Sequence, residues 1–290
     1  GVVALVLASR VDLALLRRHV GALYWITIGL LVAVLVPGVG QNVNGSSRWL
    51  GVGPFTFQPS ELAKLVLLVF AADLLTRRAR NMDRWRVTML PVMLAFGGMA
   101  ALIMFQPNLG TTLLLFMIVT TILFVAGVPR LPLVAATSIG AVGAALAAVI
   151  EPYRRRRLLA FMDPWADPAV TGYQTLQGRA ALANGGTVGQ GLGEGRAKFG
   201  FLPEGHTDFI FANLGEELGL IGSLVLLAMY AGIAVVGMSV AMRSTDRFST
   251  LVAAGLTTWI VGQAFVNLGV VVGVLPITGV PLPFVSAGGS

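Results

Sequence analysis

The sequence predicts an all-α polytopic membrane protein, a transmembrane helix bundle with one large extracytoplasmic loop. Three observations predict it. Of 290 residues, 56% are hydrophobic and only 11% are charged, a balance that soluble domains rarely reach. The apolar residues come in blocks too long for a half-buried element. Arginines gather in alternate links between those blocks, the pattern expected when cytoplasmic loops hold the positive charge.

In chain order the apolar windows are residues 1–8 (the end of a helix), 20–36, 62–75, 87–105, 109–128, 131–150, 218–240 and 248–275, with a last span beginning near Pro283. A span needs about 20 residues, so the shorter windows must borrow flanking polar positions. Pro59 and Ser60 before Glu61 read as a helix start. Gln106, Pro107 and Asn108 interrupt a long apolar stretch and read as a turn between two spans.

Successive spans alternate in direction, so charge in alternate links sets the topology. One set of short links holds Arg10, Arg17 and Arg18, then Arg77, Arg78, Arg80, Arg84 and Arg86, then Arg130, then Arg243 and Arg247. This set is assigned to the cytoplasm. The other set holds Arg48 and the stretch 151–208, which is expected outside. Its own basic residues weigh little, because loops of that length are weak reporters of orientation. The chain 1–290 thus reads as a single transmembrane domain whose 151–208 loop carries the active-site region. Within that loop Gly185, Gly186, Gly189, Gly191, Gly193 and Gly195 favour turns over regular helix. Residues 173–184 have helical spacing and read as a short interfacial helix. The chain opens at Gly1 without Met and stops at Ser290. It reads as a piece of a longer polytopic chain, with no signal peptide visible.

Composition narrows the chemistry. There is no cysteine, which removes disulfides and thiolate sites, and His19 and His206 are the only histidines. A bound metal would sit on carboxylates, carbonyls or phosphate, which suits magnesium or manganese. A net charge of +7 suits nucleic acid in a soluble protein. Between membrane spans, however, arginines orient the chain and attract lipid phosphates, so membrane and anionic lipid are the expected partners, with no nucleic acid.

The ionisable residues nearest the apolar runs are the candidates for function. Glu204, His206 and Asp208 precede the apolar run that begins at Phe209. A carboxylate there is expensive unless paired, hydrated or used. Asp208 reads either as a general base for a sugar hydroxyl or as a helix N-cap, and one residue can be both. Glu216 and Glu217 follow about two turns later and read as interhelical hydrogen-bond partners or as holders of a cation. Glu61 and Lys64 are one turn apart, an ion-pair spacing; Lys64 could instead meet a lipid phosphate, with Glu61 tuning it. Arg48 reads as a phosphate fork or a solvated cation, and Trp49 beside it as an interfacial anchor. Gln106 reads as part of a turn or as a substrate contact. Arg154, Arg155, Arg156 and Arg157 form either a solvated face or a docking surface for anionic headgroups and lipid-linked pyrophosphates. The loop glycines do not follow a strand and lack the Lys and Ser or Thr of a phosphate-binding loop.

The motifs NGSSRWL, QPSELAK, QPNLGT, the Phe161 to Pro164 stretch, GYQ, NGG, LPEGHTDFIF, GEELG and PITGVPLPFVSAGGS occur in this order across nearly the whole chain. Together they closely resemble the SEDS family of shape, elongation, division and sporulation proteins, FtsW and RodA. The outer-loop sequence and PLPFVSAGGS lean toward the FtsW branch. The resemblance implies a ten-helix bundle truncated here at both ends, in the bacterial inner (plasma) membrane, at the division septum if FtsW-like. It implies a peptidoglycan glycosyltransferase that polymerises lipid II by inverting transfer, with the Asp of its HTDF motif, here Asp208, as general base. The family's acid in its QP-D-LG motif is replaced by Asn108, so no acid role falls there. Arg48, Lys64, Arg179, Arg196, Lys198 or a divalent cation would then meet the charge on the departing phosphates. Glu61, Gln106, Glu204, His206 and Glu217 complete the expected substrate-binding set, and a class B penicillin-binding protein is the implied partner. Two readings from other classes compete: a lipid II flippase lined by Glu61, Lys64, Glu216 and Glu217, and a scaffold in which Asp208 is only a cap.

Overall fold

A computed structural model of the protein describes residues 10, 12–43, 46–52, 55–197, 202–203 and 205–287. The expected helix end at 1–8 and the candidates Lys198 and Glu204 lie outside the described residues. The elements in order are α1 (Leu13–Leu35), β1 (Gly40–Val43), β2 (Ser46–Val52), β3 (Phe55–Phe57), α2 (Pro59–Arg77), α3 (Trp85–Phe105), α4 (Leu109–Val125), α5 (Arg130–Ile150), α6 (Pro152–Met162), α7 (Tyr173–Gly185), α8 (Ile210–Arg243) and α9 (Arg247–Val271). Among the described residues five helices, α1, α3, α5, α8 and α9, are long and apolar enough to cross a membrane, and α4 is a shorter apolar helix. The protein is therefore a multi-pass helical membrane protein, as its composition predicts. The chain forms two compact units, Gly1–Ala135 with Ala241–Gly255, and Ala136–Val240 with Leu256–Ser290.

In the first unit α1, α2, α3 and α4 bury Leu31, Leu67, Ile103, Leu115, Ile118 and Ile122 completely. Lipid tails are as apolar as these side chains, so close packing and polar pins must specify the bundle. Two such pins are evident. Asp73 on α2, 8% exposed, sits between Arg17 of α1 at 2.6 Å and Arg77 at 2.8 Å, and the Arg17 guanidinium also lies 5.1 Å over the Phe248 ring. The Tyr24 hydroxyl donates to the Ala95 carbonyl at 3.1 Å. At the opposite end of α1 the strands form a three-stranded antiparallel sheet in the order β1-β2-β3. An all-α reading misses it: β1 and β3 are only 4 and 3 residues long, and the 7 residues of β2, Ser46–Val52, do not alternate polar with apolar.

The second unit is built on α7, the starting turns of α8 and the later part of α9. Helix α8 is interrupted at Gly219, whose φ of 66° and ψ of −161° are non-helical. The glycine-rich loop fills the gap. Leu220 N–H donates to Gly186 O at 2.9 Å and Ile221 N–H to Thr187 O at 3.2 Å, while Gln190 and Gly191 N–H groups donate to the Glu216 and Glu217 carbonyls, each at 3.0 Å. Backbone groups freed by the break are thus paired within protein, a requirement in a membrane segment. The approach leaves no room for side chains: a Cβ on Gly189 would stand 2.2 Å from Glu217 O, and one on Gly219 2.3 Å from Gly189 N.

Candidate functional site

Asp208 lies one residue before the buried Phe209 and two before the start of α8. Its position follows from its neighbours. Phe209 is 0% exposed, and its ring lies against Gly178 of α7, where a Cβ would approach within 2.8 Å. Further along the same crossing, Gly185 abuts the Gly215 carbonyl and Gly215 abuts the Leu182 side chain. The glycines bring α7 and α8 into backbone contact, so the aromatic anchor has one seat and the preceding carboxylate is left at the rim, partly buried.

A second clamp comes from the segment after α9. Asn267, 1% exposed, donates from Nδ2 to the Asp208 carbonyl and to the Val280 carbonyl, both at 2.8 Å. Ser286 Oγ donates to Thr207 O at 2.6 Å and accepts from Leu282 N–H at 2.7 Å. Ala287 N–H donates to His206 O at 2.9 Å. Gln263, 2% exposed, holds the Pro281 carbonyl at 3.0 Å, and the Tyr230 hydroxyl donates to Pro283 O at 2.5 Å. Three prolines from 276 to 283 disfavour regular helix here by removing donors, and residues 283–287, near which a last span is expected to begin, form a turn. Its role is to brace the backbone of residues 206–208.

The Asp208 carboxylate faces Gly279. A Cβ built on that glycine, whose φ is +70°, would stand 3.5 Å from Asp208 Oδ2 and 3.9 Å from Arg157 Nη1. The geometry therefore brings together Asp208, Arg157, Gly279 and Asn267, of which the sequence singles out Asp208 as a candidate base and Arg157 only within a four-arginine run that could dock anionic groups. Asn267 lies inside an apolar window and Gly279 inside a proline-rich one, so neither stands out without a map of contacts. Arg157 is recognisable only as one of four adjacent arginines.

The other candidates fall in two groups. Arg179, His206 and Glu217 share the second unit with Asp208. His206 is exposed. The guanidinium of Arg179 lies over Gly273, where a Cβ would stand 2.2 Å from Nη2, and its buried Nε has no hydrogen-bond partner among the described residues. Arg179 also edges an apolar groove of about 690 Å³ lined by Trp165, Pro168, Tyr173, Leu176 and Ala183. The Glu217 side chain lies against Gly195, as does the carboxylate of Glu216. Glu216 is 1% exposed and accepts from Ala197 N–H at 2.9 Å, so it holds the loop to α8.

Arg48, Glu61, Lys64 and Gln106 belong to the first unit. Arg48 donates from Nε to Gln106 O at 3.0 Å and from Nη2 to Pro107 O at 2.9 Å. Both bonds go to carbonyls just past α3, where a cation complements the helix dipole. Gln106 is 1% exposed and donates to Leu31 O at 3.2 Å, while Asn108 caps α4 by accepting from Thr111 N–H. Lys64, 1% exposed at its side chain, pairs with Glu61 at 2.8 Å. Among the described residues no group of three or more His, Asp or Glu side chains gathers to hold a metal. A divalent ion would depend here on substrate phosphate for most of its ligands.

Fold and site define a polytopic helical membrane protein in which a carboxylate is braced at the loop-covered end of a membrane helix. The sequence profile of the cell cycle protein family FtsW/RodA/SpoVE matches residues 1–290, and the chain belongs to that family. It is 42% identical over 281 residues to the "Probable peptidoglycan glycosyltransferase FtsW" of Mycobacterium tuberculosis, covering 97% of this chain and 54% of that protein. The chain thus spans about half the length of this relative. It is 39% identical over 290 residues to the stage V sporulation protein E of Bacillus subtilis, covering 100% of this chain and 79% of that protein. Among solved structures it is similar to a chain from a peptidoglycan synthase complex that coordinates polymerization and crosslinking (TM-score 0.81, 33% identity, 98% of this chain and 79% of that chain). It is also similar to the rod shape determining protein RodA of Thermus thermophilus (TM-score 0.70, 28% identity, 100% and 78% covered).

Proposed function

We propose that this protein is a peptidoglycan glycosyltransferase that polymerises lipid II, with Asp208 as general base in a single inverting displacement. The observation that carries the reading is the placement of Asp208: a partly buried carboxylate at the head of a membrane helix, its backbone braced by Asn267, facing the bare Cα of Gly279. Family membership over the whole chain supports it, as do the names of the relatives.

The chemistry asks for one base. A sugar hydroxyl is a poor nucleophile near neutral pH, and general-base assistance contributes about 10²–10⁴-fold. The acceptor hydroxyl gives its proton to Asp208 as its oxygen bonds to the anomeric carbon of the donor. The bond from that carbon to the pyrophosphate oxygen breaks, and the pyrophosphate leaves as an anion that needs no proton. One carboxylate therefore suffices, unlike the acid and base pair of glycoside hydrolases. On this reading Asp208 works on the extracytoplasmic side of the inner membrane, a side that the arginines of the alternate links support, and the septum is the site of action if the chain is FtsW-like. A class B penicillin-binding protein is the proposed partner, a pairing supported by the similar chain from a synthase complex.

The flippase reading loses force because Lys64, Glu61 and Glu216 are engaged with protein groups. Incubating the purified protein in vesicles with lipid II tests the proposal. Glycan polymer is the expected product; movement of lipid II between leaflets without polymer would make the protein a transporter, and neither would make it a scaffold.

A further inference from the structure

The geometry points to Arg157 as the cation that holds the departing phosphate of the donor glycolipid beside Asp208. The inference rests on the reading of Asp208 just given and adds a substrate-contacting residue to it. Three observations carry it. First, Asp208 Oδ2 and Arg157 Nη1 border the same small space over Gly279. Among the described residues, chain neighbours aside, no other heavy atom lies within 4 Å of the point a Cβ would occupy. The two groups are thus under about 8 Å apart. Second, Arg157 makes no ion pair among the described residues. Its guanidinium is instead fixed 4.7 Å over the Tyr153 ring, one turn back on α6, a stacking that leaves the edge N–H groups free to donate. Third, the rest of the run is placed differently. Arg155 and Arg156 are exposed, and Arg154 turns to the Ala147 carbonyl at 3.3 Å.

The spacing suits the reaction. A base hydrogen-bonds the acceptor hydroxyl at about 2.7 Å, that oxygen approaches the anomeric carbon at about 3 Å, and the departing oxygen lies beyond it, roughly 7 Å from the base in line. A cation under about 8 Å from the carboxylate therefore meets the phosphate and leaves the sugar hydroxyl to Asp208. As the carbon–oxygen bond breaks, its electron pair stays on the phosphate oxygen. A guanidinium already oriented there stabilises that charge without reorganising. Gly279 is then a spacing residue, because a side chain at its position would stand between base and cation.

The same guanidinium could take a phospholipid headgroup phosphate, so the test separates the two sources. The purified protein is assayed for lipid II polymerisation as native sequence, Arg157→Ala, Arg157→Lys, Asp208→Asn and the charge control Arg80→Ala. Each is assayed with and without added undecaprenyl pyrophosphate, in vesicles of zwitterionic or anionic phospholipid. The expected result is a loss of about 10²-fold in kcat/KM for Arg157→Ala, partial recovery in Arg157→Lys, and native activity in Arg80→Ala. Inhibition by undecaprenyl pyrophosphate should weaken at least tenfold in Arg157→Ala and persist in binding measurements on Asp208→Asn. Should Arg157→Ala fail to fold, the same measurement on Arg157→Lys decides the matter, weakened inhibition supporting the inference and native inhibition overturning it. Native inhibition in a folded Arg157 variant overturns the inference, as does a defect seen only in anionic vesicles, which would make Arg157 a headgroup contact. Full activity in Asp208→Asn would instead bring down the reading of the base.

Discussion

Replacing Gly219 by Ala tests the account of how the loop and α8 hold one another. The residue adopts φ 66° and ψ −161°, a region that is essentially glycine-only, where another residue costs about 1–3 kcal/mol. The new methyl would also stand 2.3 Å from Gly189 N and 2.7 Å from Thr187 O. The loop must then retreat, weakening the bonds from Leu220 N–H to Gly186 O and from Ile221 N–H to Thr187 O. Each such bond contributes about 0.5–1.5 kcal/mol. The total is about 2–6 kcal/mol, which for a chain of this size corresponds to a fall in Tm on the order of 10 °C. The assay is thermal unfolding in detergent, with Gly232→Ala as control, since Gly232 lies in the same helix with open space around it. The control should match or slightly exceed the native protein, because Ala is the better helix former. A Gly219→Ala protein unfolding within 2 °C of native would refute the idea that the break in α8 is enforced by the loop.

Asp73→Asn removes the shared partner of Arg17 and Arg77. It should cost about 1–3 kcal/mol, discounted because both arginines are partly exposed, and the loss should shrink in an Arg17→Gln background if measured as a double-mutant cycle in urea. Lys64→Met leaves Glu61 without the ammonium 2.8 Å away; it should destabilise by a few kcal/mol, and Glu61→Gln with Lys64→Met should recover most of the loss. Asp246 precedes α9 and accepts from Ser249 N–H at 3.0 Å; this backbone bond is the main reason its carboxyl is held below the ordinary value of 3.8. A depressed folded pKa gives stability that is present above the ordinary value and lost as pH falls through the lower one. Tm should therefore drop below about pH 4 less steeply in Asp246→Asn than in the native protein.

Much of the membrane architecture is legible in the sequence because a lipid-facing helix advertises itself by composition. Windows such as 87–105 and 131–150 match α3 and α5 within two residues. Helix α5 shows why: only 6% of its apolar window is buried, so its pattern answers to lipid rather than to particular neighbours. Where protein contacts decide, the reading falls short. The window 218–240 begins eight residues after α8 does, because Glu216, Glu217 and the break at Gly219 disguise a helical start that only the paired loop makes possible. Helix α6 is missed because four consecutive arginines look like solvated loop, and Pro152 at its first position is the single local cue. Asp208 stands out as a carboxylate beside an apolar run. Gly279 and Asn267 do not, and Arg157 does so only as one of four adjacent arginines, since what joins them to Asp208 is a meeting of α6, α9 and the segment after it.

The most direct test compares the native protein with Asp208→Asn in lipid II polymerisation, after both are shown to elute as single species with matching Tm. The substitution keeps shape and the backbone bond from Asn267 while removing the proton acceptor. Glycan synthesis is expected to fall at least 10²-fold with lipid II binding retained. Polymerisation within twofold of native would contradict it.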